Sequence, residues 1–412
     1  MAHRDGARTM NRKTDRLSIR TRGVLPVQHL RLLADTGVIW SPADRPIEDD
    51  QFQPNSMDLR LGDTAYRVRC SFLPENETVA SKLSKLTQHS FSIEEGAVLE
   101  PNCTYLIPLL ERLDLPQSLA GFQQHLFMPG KESQPLLIVS EEHLSARTNP
   151  KSSTGRLDIF TRVVTDYSHR FEEISAGYSG GLYLEVVPKS FPVRVRTGQR
   201  LNQLRIRHGS AWLSDQDILR THATDPLLLR HDGSPIPIDQ LKVGNGLFMS
   251  VSLQGSESGI VGYKAKKNRD LIDLDLINHY KVHEFWDPIV ARPDDMLILE
   301  PEAFYIFASR ERVRIPTHLA AEMVPYDTGS GELRTHYAGF FDSGFGGTAN
   351  QGARAVLEVR SHDVPFLIED GQTFFRMVFE PNTELPDKVY GREIASNYQG
   401  QELKLSKHFR DE

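Results

Sequence analysis

Two cysteines, Cys70 and Cys103, are all that the 412 residues contain. A disulfide scaffold and a four-cysteine metal site are therefore excluded. A zinc-dependent nucleobase deaminase is excluded too, because it needs a Pro-Cys-x-x-Cys element that two isolated cysteines cannot supply. No apolar run approaches the ~18 residues of a membrane-spanning helix. No large excess of positive charge is present either. The net charge of -7 argues against a protein that coats nucleic acid or an anionic membrane. Phosphate and dinucleotide fingerprints are also missing. Gly130-Lys131 is followed by Glu132, with His125 where a phosphate loop needs its first glycine. Gly329-Ser330-Gly331 has Arg334 in place of a third glycine. His279 and His283 are four residues apart but have no further ligand at metal-site spacing.

The chain has 25% charged and 39% apolar residues, the composition of a globular protein. Its length suggests two or three domains. The first 22 residues carry Arg4, Arg8, Arg12, Lys13, Arg16, Arg20 and Arg22 against Asp5 and Asp15, with no apolar core of a secretory signal. Residues 1–24 are expected to be a disordered basic tail, and the protein to be cytoplasmic and reduced.

The sequence repeats itself. Leu99-Glu100-Pro101, Tyr105, Glu111-Arg112, Pro116 and Leu119-Ala120 recur 200 positions later, nine identities in 22 ungapped positions. A second block, Leu184-Glu185-Val186 with Pro192 and Gly198-Gln199, recurs as Leu357-Glu358-Val359 with Pro365 and Gly371-Gln372, now at an offset of 173. The first copy thus carries 27 extra residues, expected at about 121–150. A looser match pairs Asp50–Gly62 with Asp239–Gly255. A unit of about 150–180 residues is too long for a solenoid repeat and reads as a duplicated domain. The expected units are 25–208 and 237–388, with a linker at 209–236 and a tail at 389–412. Each copy reads as short, β-branched and aromatic strands punctuated by Gly, Pro, Asn and Asp, which suggests a β-barrel or sandwich. Few helices are expected: Val27–Asp35, and Leu213–His222 with Ser214 as N-cap.

Two features could carry chemistry. Lys151-Ser152-Ser153-Thr154-Gly155-Arg156 puts two cations and three hydroxyls in six residues. Such a turn can bind a phosphate or a base carbonyl, or it can be a solvated loop. Glu185, within the apolar strand Leu182–Val187, costs free energy unless it is paired, so it is a structural ion pair or a working group. Glu358 repeats the placement.

At these residues the sequence resembles the dCTP deaminase and dUTPase superfamily, and within it the tandem dCTP deaminases of bacteria. The resembling stretches are Gln53–Gly62, Leu99-Glu100-Pro101, Ser152–Leu157, Gly177–Gly180, Leu184-Glu185 and Asn397-Tyr398-Gln399-Gly400-Gln401. The resemblance implies two tandem distorted β-barrels and deamination of dCTP to dUTP and ammonia without zinc, supplying dUTP for dTTP synthesis. Catalysis is then expected from Glu185, Ser152 and Arg156. Substrate contacts are expected from Lys151, Ser153, Thr165, Asp166, Tyr178 and Gln199, and from a closing tail with Tyr390, Asn397, Tyr398 and Gln401. In the second repeat the counterparts are Glu358, Ser330 and Arg334, and that repeat is expected to be structural or to complete a neighbouring site. Mg²⁺ would arrive on the triphosphate rather than in a protein cage. Partners would be dCTP and dUTP, with feedback by dTTP left open, and further copies of the chain, as a trimer or a multiple of one. Two alternatives stand beside this reading. One is a dUTP diphosphatase or bifunctional enzyme with Asp166 as base, and the other is a non-catalytic nucleotide-binding regulator.

Overall fold

The computed structural model describes residues 21–116, 143–255, 259–325, 333–335, 339–347, 351–361, 363–390 and 401–410. Most of the basic tail and most of the extra segment near 121–150 lie outside these. The protein is mainly β with few short helices. No helix among the described residues is long and apolar enough to cross a membrane.

Helix α1, Val27–Asp35, buries Val27, Leu30 and Leu33 on one face, the i, i+3, i+6 spacing of an amphipathic helix. It ends where the Thr36 N–H donates to Leu32 O and Gly37 adopts φ +80°. The first repeat then builds two antiparallel sheets. One contains β1 (Met57–Arg60), β3 (Leu144–Pro150) and β6 (Arg200–His208), with β6 in the middle. The other has β5 (Ser179–Pro188) between β2 (Tyr105–Asp114) and β4 (Ile159–Val164). Between β3 and β4 the chain makes a single helical turn, α2 (Ser152–Gly155).

The second repeat returns the same pattern. Its β9 (Ala353–Ser361) lies on β7 (Phe304–Val313), and its β8 (Leu319–Pro325) lies on β10 (Thr373–Pro381). Glu185 stands opposite Leu106 and Glu358 opposite Ile306. The two glutamates are thus equivalent in register.

The stretch 209–236, expected as a linker with a helix over Leu213–His222, contains that helix and a short strand. It carries helix α3, Asp215–Thr224, whose N-cap Ser214 accepts from the Asp217 N–H. A short strand, Leu228–Leu229, follows and pairs with β7. α1 is likewise followed by Ile39–Trp40, which pairs with β2. The apolar run Leu227-Leu228-Leu229 is buried, and Leu227 and Leu228 belong to the second core. Strand pairing also satisfies backbone groups that burial would otherwise leave without partners.

The repeats are interlocked. Ile272 and Asp273, from the second, pair in parallel with Val193 and Arg194 of the first. Trp286 is fully buried, with its ring 5.6 Å from Phe191 of the first repeat and 5.9 Å from Phe409 of the tail. Arg205 and Asp342 form a buried ion pair at 2.7 Å across the same seam. The first core therefore includes Ile272, Trp286, Phe304, Val356 and Phe409 as well as its own residues.

Candidate active site

The turn after β3 builds one wall of the site. Lys151 caps α2, and the N–H groups of Thr154 and Gly155 donate to its carbonyl at 2.8 and 3.0 Å. Arg156 closes the turn, and Asp158 two residues on takes a left-handed φ of +57° that sends the chain into β4. The turn leaves Ser152, Ser153 and Arg156 on a cavity of about 190 Å³. Its opposite wall belongs to the second repeat and contains Phe340, Phe341, Phe345, Val356 and Glu358.

Glu358 comes from β9 and is buried against the turn. A Cβ on Gly155 would overlap the Glu358 carboxyl, so only glycine lets the two approach this closely. Burial pushes the Glu358 carboxyl up to about 8. Arg156 opposes this shift and the negative charge of Asp158 adds to it. At neutral pH Glu358 therefore carries a proton.

Arg156 is buried and held by the tail. Its Nη2 donates to Gln401 Oε1 at 2.8 Å and its Nη1 to Lys404 O at 2.9 Å. Gln401 in turn donates to Arg354 O on β9 at 2.9 Å. The tail thereby ties the turn of one repeat to the glutamate strand of the other. Tyr390 lines the same cavity beside Phe345, with ring centroids 5.6 Å apart.

Cations gather at the mouth. Lys151 pairs with buried Asp58. Burial and the repulsion of Lys151 and Arg200 both lower Lys407. Lys151, Ser153, Arg200 and Lys407 line an adjoining cavity of about 350 Å³, which also contains Gln199.

The site thus unites Lys151, Ser152, Ser153, Arg156, Tyr390 and Gln401, with Gln199 next door. Glu185, expected as the catalytic carboxylate, is not brought to them. Its Oε1 accepts from Arg162 Nη2 at 2.6 Å and Nε at 3.1 Å, and Arg162 stands directly across from it on β4. Arg162 also donates to Ser71 Oγ at 2.7 Å and covers the Phe171 ring at 3.7 Å. Glu185 is therefore an ion pair within its own sheet, and its repeat-2 counterpart stands on the cavity.

Asp166, Thr165 and Tyr178 also fall outside the cavity. Asp166 Oδ1 accepts the Val79 N–H at 2.7 Å, at the start of the helix Val79–Leu86. Tyr178 donates to Gly181 O at 2.6 Å and pins the start of β5. Burial and the neighbouring Asp166 raise the Tyr178 hydroxyl. Ser330, Asn397 and Tyr398 lie outside the described residues. Arg334 lies on the strand Leu333–Thr335, opposite Arg360 of β9.

The sequence reading missed Asp58, Phe340, Phe341, Phe345 and Lys407. Gly344-Phe345-Gly346-Gly347 has the composition of a tight turn, but nothing in the sequence says that it faces the first repeat.

Comparison with known proteins agrees with this architecture. The family model of the dCTP deaminase (DCD) N-terminal domain matches residues 21–126 and 135–210. That of the C-terminal domain matches residues 214–409. A dCTP deaminase of Ignicoccus hospitalis is 26% identical over 153 residues, which is 37% of this chain and 67% of that protein. A dUMP-forming dCTP deaminase of Halobacterium salinarum is 31% identical over 125 residues, 30% of this chain and 61% of that one. The crystal structure of the 2'-deoxycytidine 5'-triphosphate deaminase of Agrobacterium tumefaciens superposes with a TM-score of 0.78 at 44% identity, covering 89% of this chain and 100% of that one. With both halves matched and that structure covered over its whole length, the chain belongs to the dCTP deaminase family of hydrolytic deaminases.

Proposed function

We propose that this protein deaminates dCTP to dUTP and ammonia in the cavity between its repeats, with Glu358 as the proton-transferring carboxylate. The observation that carries the reading is the seating of Glu358 on the Ser152–Arg156 turn, with its carboxyl raised to about 8. A carboxyl that holds its proton at neutral pH can protonate the ring nitrogen of cytosine. The resulting carboxylate takes a proton from water as the water oxygen bonds to C4. It then passes that proton to the amino group; as the C4–N bond breaks and ammonia leaves, the C4 hydroxyl gives its proton to the carboxylate, which forms the uracil carbonyl and restores the starting acid. One water enters, one ammonia leaves, and no zinc is called for.

The apolar wall of Phe340, Phe341, Phe345 and Val356 suits the base. The hydroxyls of Ser152 and Ser153 offer hydrogen bonds, and Arg156 meets negative charge as it develops. Lys151, Arg200 and Lys407 suit the triphosphate. Magnesium fits as an ion carried in on the phosphates. Asp58 Oδ1 is buried with no hydrogen-bond partner and could take a water of that ion.

Purified protein given dCTP and Mg²⁺, with nucleotides separated by ion exchange and ammonia assayed in parallel, tests this. Equimolar dUTP and ammonia support it. Accumulation of dUMP replaces the product assignment, and binding of dCTP without turnover removes the enzymatic one.

A further inference from the structure

Two residues beyond Glu358 on the same strand, Arg360 reaches back across the seam. Successive side chains on a strand alternate, so Glu358 and Arg360 share a face. Two residues beyond Arg156 is Asp158. The second repeat therefore presents Glu-x-Arg to an Arg-x-Asp of the first, with Glu358 beside Arg156 and Arg360 beside Asp158.

Arg360 Nη2 pairs with Asp158 Oδ2, and both side chains are buried, at 7% and 1% exposure. Asp158 Oδ2 also accepts from Ser190 Oγ at 2.5 Å. The Asp158 backbone is fixed as well, because its N–H donates to Gly155 O at 2.8 Å and its carbonyl accepts from the Lys189 N–H at 2.9 Å. Arg360 Nη1 donates to Glu302 O, and its guanidinium lies 5.9 Å from the Phe304 ring. Among the described residues nothing equivalent exists in the first repeat, where Val187 follows Glu185 at the same spacing and Glu185 pairs with Arg162 instead. The pair is present, among the described residues, only where the glutamate faces the cavity.

We propose that Asp158 and Arg360 are a positioning pair for the reaction, closed across the repeat seam to fix where Glu358 stands on the turn and which charges surround it. The inference rests on Glu358 being the proton-transferring group. The charged groups around that carboxyl are Arg156 and Asp158 from the turn and Arg360 on its own strand. Across the cavity they are Lys151, Asp58, Asp342 and Lys407. Asp158 favours the protonated carboxyl, and Arg360 offsets the charge of Asp158 by pairing with it, so losing either alone displaces the balance in opposite directions.

The test is the pH profile of kcat under saturating dCTP for D158N, R360Q, the double variant D158N/R360Q and E358Q. The alkaline limb should move to lower pH in D158N and to higher pH in R360Q, each by about one unit. In the double variant, which removes both members of the buried pair, it should return close to the parent limb. A profile keeps its shape when part of a preparation is unfolded, so loss of stability does not mimic the result. Limbs that stay in place, move in the same direction, or in the double variant remain where D158N put them overturn the proposal. Full activity of E358Q overturns instead the reading on which it rests.

Discussion

The carboxyl of Glu358 lies directly on the backbone of Gly155, so a strand of the second repeat closes onto a turn of the first. Neither repeat holds the cavity alone. The hydroxyls and the guanidinium come from one, the carboxyl and the aromatic wall from the other. The seam is built to hold that register. Arg205–Asp342 at 2.7 Å, Arg147–Glu322 at 3.0 Å and Arg207–Glu380 at 3.3 Å all cross it. Buried ion pairs of this kind add little net stability, but a misaligned seam leaves their charges stranded at a cost of about 3–5 kcal/mol per broken pair.

Glu358→Gln should reduce dUTP and ammonia formation by about 10²–10⁴-fold, the range of a lost general acid–base group. Glu185→Gln should leave turnover within a few-fold and lower thermal stability, because Arg162 loses its carboxylate partner. Steady-state assays and melting curves of the two variants check the assignment. Inactive Glu185→Gln beside active Glu358→Gln would reverse it.

The proton on Glu358 also links pH to stability. Its carboxyl is raised from 4.5 to about 8 in the folded chain. Between those values the folded state holds a proton that the unfolded state has released. This contribution is fully present below 4.5 and is lost as pH rises towards 8. Glu358→Gln, which stays neutral throughout, should therefore melt higher than the parent protein at pH 8, with the difference shrinking towards pH 5. Parallel melting curves at the two pH values decide this, and an equal difference at both would mean that the carboxyl titrates normally.

How much of this was legible beforehand follows from the kind of signal involved. The mainly β character with few short helices and the Lys151–Arg156 turn could be read because strand patterns and clustered hydroxyls are local properties of the chain. The choice between Glu185 and Glu358 could not. Both sit in Leu-Glu-Val within an apolar strand, and both occupy the same register. They differ in what stands across from them, Arg162 for one and the turn of the other repeat for the second. That is a tertiary fact. In hindsight one local trace existed, the Arg360 that follows Glu358 where Val187 follows Glu185. Asp58 was hidden similarly, because in Met57-Asp58-Leu59-Arg60 it reads as the polar half of a strand alternation.

Gly155→Ala tests the close approach itself. The new methyl would overlap the Glu358 carboxyl, the end of a flexible side chain, so that side chain must swing away from the turn. Overpacking of this kind costs about 1–3 kcal/mol of stability. Activity should fall far more than the affinity for dCTP, because the cations at the mouth, Lys151, Arg200 and Lys407, stay in place while the carboxyl is displaced. A kcat loss with little change in KM is the expected split. A rise in KM alone would show that the turn, rather than the carboxyl, has moved.

Gln401 is the remaining joint, since it receives Arg156 Nη2 at 2.8 Å and donates to Arg354 O on β9 at 2.9 Å. Replacing it with alanine removes both bonds and leaves a buried guanidinium short of one acceptor, a loss of about 1–3 kcal/mol. Arg156 keeps its bond to Lys404 O, so the protein should still fold. Its guanidinium then loses the restraint that aims it at the cavity, and kcat should drop by about one to two orders of magnitude through misplacement alone. Gln401→Glu is the sharper companion. It restores an acceptor for Arg156 but brings a carboxylate that cannot donate to Arg354 O, and it sets a negative charge beside Glu358 and the nucleotide. Turnover in Gln401→Glu should be no better than in Gln401→Ala. Recovery to the parent rate would mean that the tail serves only as an acceptor for Arg156 and does not bridge the two repeats.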